Sequence, residues 1–445
     1  MRILRSTGTL SILIAALALT ACACDRAGSE ESGPFYFTDH VEEVEKEFDE
    51  AQFVSFRKDG LFAGPITLSD ETRLSLTPPL PSRLTFVVRV PAKGLLQFGM
   101  GVLGLNQPPL PAGVRFRIHV DAGSGPETVF KGSIPRHQPN RWVDKEVDLG
   151  RWENSTVRLT FETTALEPRS SRRVDPTDLQ SIVPIWGNPV LASSHGIPER
   201  PSVFLISIDC LRSDHLGSYG YDRDTTPRID RLAARGVVFE NALSTAPETL
   251  PSHMSMFTGL YPAFHGASKW RRLSESTPYL PELLGGSGYE VNGVVTGLYL
   301  AQGFGFERGF RVYRFFDDPG AGTAIDAALE LVRRARGRSQ FLWVHLFDPH
   351  WPYAPPKDFL DRFGHRPPDI SDLLQNVSQQ DEPPADSEAV QHAIDLYDAE
   401  ILYTDRELGR LLDELESTGL YDRSLILVVG DHGEAFHEHG LWQHT

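Results

Sequence analysis

Acidic and histidine side chains follow three apolar segments of the sequence, at the point where each segment ends. Asp209 comes directly after the first segment. Asp348 and His350 follow the second segment, and Asp431 and His432 follow the third, one glycine beyond its end. The segments span residues 203–208, 341–347 and 425–429. Each of these side chains taken alone could be a helix cap or a solvated surface charge.

Taken together, the five side chains favour a divalent metal site. Carboxylates that converge on one place repel each other unless a cation neutralises them. Mixed Asp and His donors suit Zn²⁺, Mn²⁺ or Mg²⁺ better than a calcium site made only of oxygen ligands.

The elements that must position these side chains are strands and helices in alternation. The apolar segments have the continuous pattern of parallel strands that are buried on both faces. Thr226 is an N-cap followed by proline, Gly236 suits the end of that helix, and a second helical pattern spans residues 399–415. Residues 200–445 are therefore predicted to form an α/β domain with a mostly parallel sheet flanked by helices. In such a sheet, ligands bind beyond the carboxyl ends of the strands.

The preceding region, residues 35–194, has a different pattern of short alternating segments separated by glycine and proline. It is predicted to be a β-sandwich of the jelly-roll kind, joined to the α/β domain by a short linker. Its tryptophans, among them Trp142 and Trp186, could stack on a sugar, but a role in the core is favoured. The clearest alternating segments are residues 83–90, 114–120 and 157–163.

The N-terminal sequence has the pattern of a targeting segment. Residues 1–21 carry two arginines and an apolar run that is too short to span a bilayer. The tetrad Leu19–Cys22 resembles the lipobox of bacterial lipoproteins, which makes Cys22 the lipidated residue and residues 22–34 a polar tether. The protein is then exported and anchored by lipid to the cell envelope, on the periplasmic or cell-surface side, with sorting to the outer membrane open. The alternative is an ordinary signal peptide with a cysteine nearby.

Composition excludes some classes of protein. The 445 residues include 43 basic and 60 acidic side chains, a formal net charge of -17. A nucleic-acid-binding protein with a basic surface is therefore not expected, and an anionic substrate needs a local positive site. Three cysteines are too few for a disulfide framework.

Five sequence motifs then resemble the sulfatase branch of the alkaline phosphatase superfamily, in the order that the family has them. The resemblance covers residues 201–445 and implies a metal-dependent hydrolase of sulfate or phosphate esters. The motifs are Asp209–Tyr221, Thr225–Leu232, Ala246–Pro262, Asp348–Tyr353 and Gly430–Gly440.

One position departs from the sulfatase pattern, in which a cysteine or serine is oxidised to formylglycine. Here Thr249 stands at that position. Oxidation of threonine would give a ketone, so the formylglycine route is doubtful. Threonine is, however, the attacking residue in the phosphatase-like and phosphodiesterase-like relatives, where a metal-bound hydroxyl attacks phosphorus. The alternative is that Thr249 only caps the helix that Pro251 suggests.

The resemblance implies that Asp209, Asp431 and His432 hold the metal together with Thr249, which attacks the ester. The identity of the metal, among Zn, Mn, Mg and Ca, stays open. Cys210 stands where many sulfatases have a second metal-binding aspartate, which puts the usual calcium site in doubt. It is interpreted as a small buried residue.

The resemblance also implies roles around the substrate. His253 stands where sulfatases have arginine and could orient Thr249 or the substrate. His350 could contact the transferred group or its leaving oxygen, and Asp348 could contact the substrate or ligate a second metal. The charge partners expected for the anion are Arg212, Lys269 and His444.

The sequence supports two hypotheses for the function of the whole chain. The first is a hydrolase of anionic esters, with glycans or lipid head groups as substrates. The second is a non-catalytic envelope lipoprotein that binds glycans and carries a degenerate or incomplete hydrolase domain. Sulfatase-like chains normally continue beyond the last motif, so a C-terminally truncated catalytic domain is expected.

Overall fold

The computed structural model describes residues 33–48, 61–104, 110–166, 179, 181–195, 198, 200–317, 320–363, 388–438 and 441–444. The predicted signal peptide, the lipidation site Cys22 and nearly all of the tether lie outside the described residues. Within the described ranges, no helix is long and apolar enough to cross a membrane.

The chain forms a β-rich N-terminal region followed by a region in which strands and helices alternate. The strands are β1 Phe35–Tyr36, β2 Glu45–Phe48, β3 Phe62–Leu68, β4 Glu71–Thr77, β5 Ser82–Arg89, β6 Gly94–Gly104, β7 Gly113–Asp121, β8 Glu127–Ile134, β9 Val143–Asp148, β10 Thr156–Leu166, β11 Ile182–Ser193, β12 Ser202–Ile208, β13 Glu290–Thr296, β14 Val312–Phe316, β15 Gln340–Leu346, β16 Ser424–Gly430, β17 Ala435–Phe436 and β18 Trp442–Gln443. The α-helices are α1 Pro227–Arg235, α2 Thr249–Thr258, α3 Pro262–His265, α4 Leu280–Gly286, α5 Gly320–Arg334, α6 Lys357–Leu360 and α7 Glu388–Ser417.

The central sheet is mixed and runs through both regions. Its order is β16-β12-β15-β13-β14-β4-β11-β6-β9. The five strands from the second region are parallel to their neighbours. Strand β4 then pairs antiparallel with β14 and continues the sheet into the N-terminal region. The predicted α/β domain with a helix-flanked sheet is confirmed, and the sheet extends beyond it.

The parallel strands are mostly apolar because helices cover both of their faces. On β12, Phe204, Ile206 and Ile208 belong to a core with α5 and α7. Val203 and Leu205 point to the other face and join a core with α2 and α4. Successive side chains of a strand alternate between its faces, so a strand buried on both faces needs an uninterrupted apolar run.

The N-terminal region adds a second sheet, of order β2-β5-β10-β7-β8, with antiparallel pairing. Side chains from both sheets share one core, in which the rings of Phe161 and Trp186 lie 4.9 Å apart. Trp186 is fully buried, as favoured, whereas Trp142 is half-buried and donates its indole N–H to the Glu71 carbonyl over 3.0 Å. These observations establish a β-rich region, and the jelly-roll assignment stays a prediction.

Candidate active site

Asp209 lies at the carboxyl end of β12 in the middle of the parallel strands. Its backbone N–H donates to the Leu346 carbonyl at the end of the neighbouring strand β15, over 2.9 Å. The side chain is buried, and its Oδ1 atom has no hydrogen-bond partner. Burial, followed by the charge of Asp431, raises the pKa of this carboxyl well above its usual value.

Asp431 follows β16, the next parallel strand, and faces the same place. Its Oδ1 atom accepts backbone N–H groups from Cys210, over 3.1 Å, and from His432, over 2.8 Å. Its Oδ2 atom is buried without a partner. Burial raises the pKa of Asp431 even though these N–H groups stabilise the charged form. The backbone contacts therefore fix one carboxylate oxygen and leave the other for a ligand.

His432 completes the group through its Nε2 atom. Nε2 lies 3.3 Å from the Thr249 hydroxyl, 3.4 Å from Asp209 Oδ1 and 3.5 Å from Asp431 Oδ2. Nδ1 lies 3.1 Å from the Gly433 carbonyl, which can only accept, so Nδ1 carries the proton and Nε2 presents its lone pair. Burial lowers the pKa of His432 to about 4, which keeps the ring neutral at pH 7.

Thr249 is the first residue of α2, whose N-cap is Glu248. The cap position is therefore occupied by another residue, and the Thr249 hydroxyl points to His432 instead. The amino end of a helix carries partial positive charge, which favours an alkoxide or an anionic ester there. Thr249 is 7% exposed, so solvent reaches it only through a narrow opening.

His253 lies one helical turn after Thr249 and is completely buried. Its Nδ1 atom donates to the Thr249 carbonyl over 2.8 Å, and its Nε2 atom accepts from the Ser207 hydroxyl over 2.9 Å. The Trp343 indole N–H donates to the same hydroxyl, which fixes its proton toward His253. Both nitrogens of His253 are thus engaged, and its contact with Thr249 is through the backbone.

His345 is a member of this group that sequence reasoning missed. It lies on β15, where its Nε2 atom is 3.6 Å from Asp209 Oδ2 and has no hydrogen-bond partner. The Thr296 hydroxyl donates to the His345 carbonyl and can accept from Nδ1, 3.2 Å away, so Nε2 is the bare nitrogen. The available signal was a histidine inside an otherwise apolar run, where an unpaired polar group is costly.

The residues present fit a divalent cation. Three buried atoms lack a hydrogen-bond partner and present their lone pairs in the same small region of the site. They are Asp209 Oδ1, Asp431 Oδ2 and His345 Nε2. His432 Nε2 adds a further lone pair. Lone pairs that face each other in a buried site repel, and a bound cation converts that repulsion into coordination. Two carboxylates, imidazole and a hydroxyl form the mixed oxygen and nitrogen donor set that the sequence predicted.

His350 and His444 lie beside the group, with ring centres 5.0 Å apart. The His350 ring stacks on Phe347, and its Nδ1 atom contacts the Trp351 carbonyl. The His444 ring is 4.5 Å from that of His432. Both predicted histidines are therefore at the same end of the sheet as the carboxylates.

Asp348, Arg212 and Lys269 have other contacts. Asp348 accepts the backbone N–H of Ala321 over 2.6 Å, at the start of α5. Arg212 pairs with Asp214 and Glu438, both over 2.7 Å. Lys269 is exposed, lies 5.8 Å above the Trp270 ring, and forms no ion pair with a described carboxylate. Each of the three has a structural contact of its own.

Comparisons with known proteins agree with the motifs. Residues 201–445 match the protein-family model described as Sulfatase. A sulfatase of Formosa agariphila is 26% identical over 315 residues, which cover 55% of this chain and 62% of that protein. Human iduronate 2-sulfatase is 25% identical over 340 residues, covering 59% of this chain and 60% of that protein.

Solved structures to which this chain is similar include the phosphonate monoester hydrolase of Agrobacterium radiobacter. It matches with a TM-score of 0.45 and 18% identity, over 55% of this chain and 65% of that chain. The first four curated relatives are matched over 51% to 65% of their own length, so this chain corresponds to little more than half of each.

Proposed function

Because its family match spans residues 201–445, more than half of the chain, this protein belongs to the sulfatase family, and we propose that it hydrolyses sulfate or phosphate esters with a divalent metal ion and with Thr249 as the nucleophile. Homologues in the family, among them the arylsulfatase of Clostridium perfringens, are hydrolases that act on sulfate esters. The non-catalytic alternative is not favoured, because the donor group is intact.

The observation that carries the proposal is the position of the Thr249 hydroxyl. It lies 3.3 Å from His432 Nε2, at the amino end of α2 and beside two buried carboxylates. A divalent cation held by Asp209, Asp431 and His432 would supply a Lewis acid that lowers the pKa of the hydroxyl and neutralises an anionic ester. Thr249 Oγ1 gives its proton to solvent and attacks sulfur or phosphorus, and the bond to the leaving oxygen breaks as that oxygen takes up a proton from solvent. Water then hydrolyses the threonine ester, which releases the acid and restores the hydroxyl.

The surrounding residues orient this hydroxyl. His253 holds the Thr249 carbonyl through Nδ1 and the Ser207 hydroxyl of β12 through Nε2, and Ser252 donates to the Asp431 carbonyl over 2.7 Å. The contacts with Ser207 and Asp431 tie the first turn of α2 to the ends of β12 and β16. His350 and His444 lie at the same rim.

We further propose that the substrates are anionic esters of glycans or lipid head groups. Relatives include an N-acetylgalactosamine-6-O-sulfatase and a Delta 4,5-hexuronate-2-O-sulfatase of Bacteroides thetaiotaomicron, whose names specify sugar substrates. The predicted lipid anchor at Cys22 would hold the enzyme at the cell envelope, where such esters arrive from outside.

The test is a paired assay on the full chain. Metal-stripped protein is supplied with Zn²⁺, Mn²⁺, Mg²⁺ or Ca²⁺ and offered an aryl sulfate, an aryl phosphate and an aryl phosphodiester. Thr249→Ala should lower turnover at least ~10³-fold, because it removes the attacking oxygen. Thr249→Ser keeps a hydroxyl and should retain measurable turnover.

Thr258→Ala is the matched control, since Thr258 lies at the far end of the same helix, where its hydroxyl donates to the Met254 carbonyl over 2.7 Å and accepts the Leu260 N–H over 3.2 Å. Turnover should change less than about threefold in this variant. Equal activity in Thr249→Ala and the wild type would contradict the nucleophile. Turnover of the sulfate alone would show that threonine replaces formylglycine in sulfate chemistry, and turnover of the phosphoesters would make the enzyme a phosphoester hydrolase.

A further inference from the structure

A second group of metal-binding side chains lies on the other side of His432. It consists of Cys210, His350, Glu434 and His444, and is called the thiol cluster here. The Cys210 Sγ atom is 3.5 Å from His444 Nδ1, which is in turn 3.5 Å from Glu434 Oε1. Sγ and one ring nitrogen each of His350 and His444 lie within 4.8 Å of one another.

Glu434 is the observation that points to a ligand. Its side chain is fully buried, and neither carboxylate oxygen has a hydrogen-bond partner. Transfer of a carboxylate out of water costs several kcal/mol unless a cation or donors compensate for it. Arg212 donates to the Glu434 carbonyl and not to its side chain. The carboxylate therefore faces His444 without a hydrogen-bond partner of its own.

Local structure holds these side chains in place. Glu434 directly precedes β17 and His444 directly follows β18, and the antiparallel pairing of Ala435 with Gln443 brings the two side by side. Cys210 has a positive φ of 56°, which is uncommon for a residue with a side chain. Its N–H is bound by Asp431 and its carbonyl by the Tyr397 hydroxyl over 2.7 Å, and these bonds maintain the conformation that directs the thiol.

The tautomers of the histidines separate the two sites. His432 uses its Nδ1 proton on the Gly433 carbonyl and presents Nε2 to Asp209 and Asp431. His350 uses Nδ1 on the Trp351 carbonyl, so its Nε2 atom is available as a ligand. The Cys210 thiol lies 3.7 Å from the other ring nitrogen, His432 Nδ1, and within 4.8 Å of an Asp209 carboxylate oxygen, so the thiol borders the first site.

We propose that the thiol cluster is a second metal site, which binds a thiolate-preferring divalent cation such as Zn²⁺ through Cys210, His444, Glu434 and His350. One thiolate, two imidazoles and one carboxylate are a four-ligand set of the type that zinc adopts, and sulfur disfavours Ca²⁺ and Mg²⁺. On binding, the thiol proton is released to solvent. The cation would supply the positive charge beside the substrate that the family resemblance assigns to His444. The inference does not depend on Thr249 or on turnover.

Cobalt titration tests the second site directly. Metal-stripped full chain is titrated with Co²⁺, which replaces Zn²⁺ in such sites and gives a near-ultraviolet charge-transfer band when a thiolate binds it. The wild type should bind two equivalents and develop the band. Cys210→Ser should bind one equivalent and lose the band. The matched control is the double variant Cys22→Ser, Cys24→Ser, which removes the other two cysteines and should keep both equivalents and the band.

A second variant tests the site independently, in case Cys210→Ser does not fold. Glu434→Gln keeps the thiol but removes the carboxylate, and should weaken the second equivalent more than about tenfold while circular dichroism is unchanged. A band that survives in Cys210→Ser, a wild type that binds cobalt without the band, or full affinity in Glu434→Gln would overturn the second site. Asp431→Asn should lose the other equivalent and keep the band. If the wild type showed the thiolate band but no turnover, that result would contradict the proposed function and leave the second metal site standing.

Discussion

At the scale of single residues, the energetics of the site are set by two carboxylates that are buried without enough partners. Burial raises the pKa of both Asp209 and Asp431, and each has one oxygen with no hydrogen bond. Ionised at pH 7, they repel each other and the lone pair of His432. This repulsion lowers the stability of the metal-free protein, and cation binding removes it. Such a loss of stability in favour of function is common at active sites.

Asp431→Asn should stabilise the metal-free protein and remove the part of its response to metal that comes from the Asp209–Asp431 site. The new amide oxygen can still accept the N–H groups of Cys210 and His432, while the new NH₂ group lies where Oδ2 was, 3.5 Å from His432 Nε2, and can donate to it. The free energy of unfolding in chelator should rise by about 1–3 kcal/mol. Addition of Mg²⁺, which the thiol cluster disfavours, should stabilise the wild type and leave the variant unchanged.

Denaturant unfolding with and without metal measures this effect. Asp422→Asn is the control, because Asp422 is 82% exposed and pairs with Arg235 at the surface over 3.0 Å. It should change stability by less than about 0.5 kcal/mol. Destabilisation of metal-free Asp431→Asn would mean that the carboxylate is compensated within the protein, and would count against a cation at this place.

At the scale of elements, the end of β16 positions Asp431 and His432 through a close backbone contact. A Cβ atom on Gly430 would lie 2.4 Å from the Leu211 carbonyl oxygen, which is backbone that cannot rotate away. The loop after β12 and the end of β16 can therefore touch only because residue 430 is glycine. This contact keeps Asp431 close to the loop after β12, where its Oδ1 atom accepts the backbone N–H of Cys210, the residue next to Asp209.

Gly430→Ala should displace Asp431 from Asp209 and reduce activity more than it reduces stability. The overlap costs about 1–3 kcal/mol in unfolding free energy, which a chain of this size tolerates. Turnover and metal affinity should fall at least about tenfold, because ligand geometry is lost with a small shift. The control is Gly286→Ala in α4, where an added Cβ meets nothing within 4 Å. Normal metal affinity in Gly430→Ala would show that the contact does not position the ligands.

At the scale of the whole molecule, the sequence predicted the parts that depend on local pattern. Apolar runs located the parallel strands, and the residues at their ends, such as Asp209 and Asp431, proved to meet. His345 and Glu434 were missed, because their importance arises from buried atoms without partners, which only a three-dimensional arrangement reveals. The role of Asp348 at the start of α5 likewise depends on a contact between distant elements.

The pairing of β4 with β14 could not be predicted from the sequence either. It joins residues about 240 positions apart and makes one sheet of segments that sequence pattern assigned to different regions. The predicted boundary near residues 194–200 falls between β11 and β12, which lie in that same sheet. Hydrogen bonds between distant strands leave no local signature, because any two strands with compatible faces can pair.

A charged network holds this junction, and its removal should uncouple the two regions. Glu71 on β4 pairs with Arg73, which is 1% exposed, and with Arg314 on β14 over 2.9 Å. Arg73 also pairs with Asp144, and Arg314 with Glu330. Since one sheet spans both regions, we expect a single thermal unfolding transition for the wild type. Glu71→Gln leaves both guanidinium groups with less charge compensation in a buried place.

Glu71→Gln should therefore lower the free energy of unfolding by about 2–4 kcal/mol and split the transition seen by scanning calorimetry into two. The transition at lower temperature should coincide with loss of the N-terminal strands, detected by limited proteolysis. Glu127→Gln removes an exposed pair with Arg151, at 2.9 Å, and should cost less than about 1 kcal/mol without splitting the transition. A single, unshifted transition in Glu71→Gln would mean that the regions stay joined without this charged network.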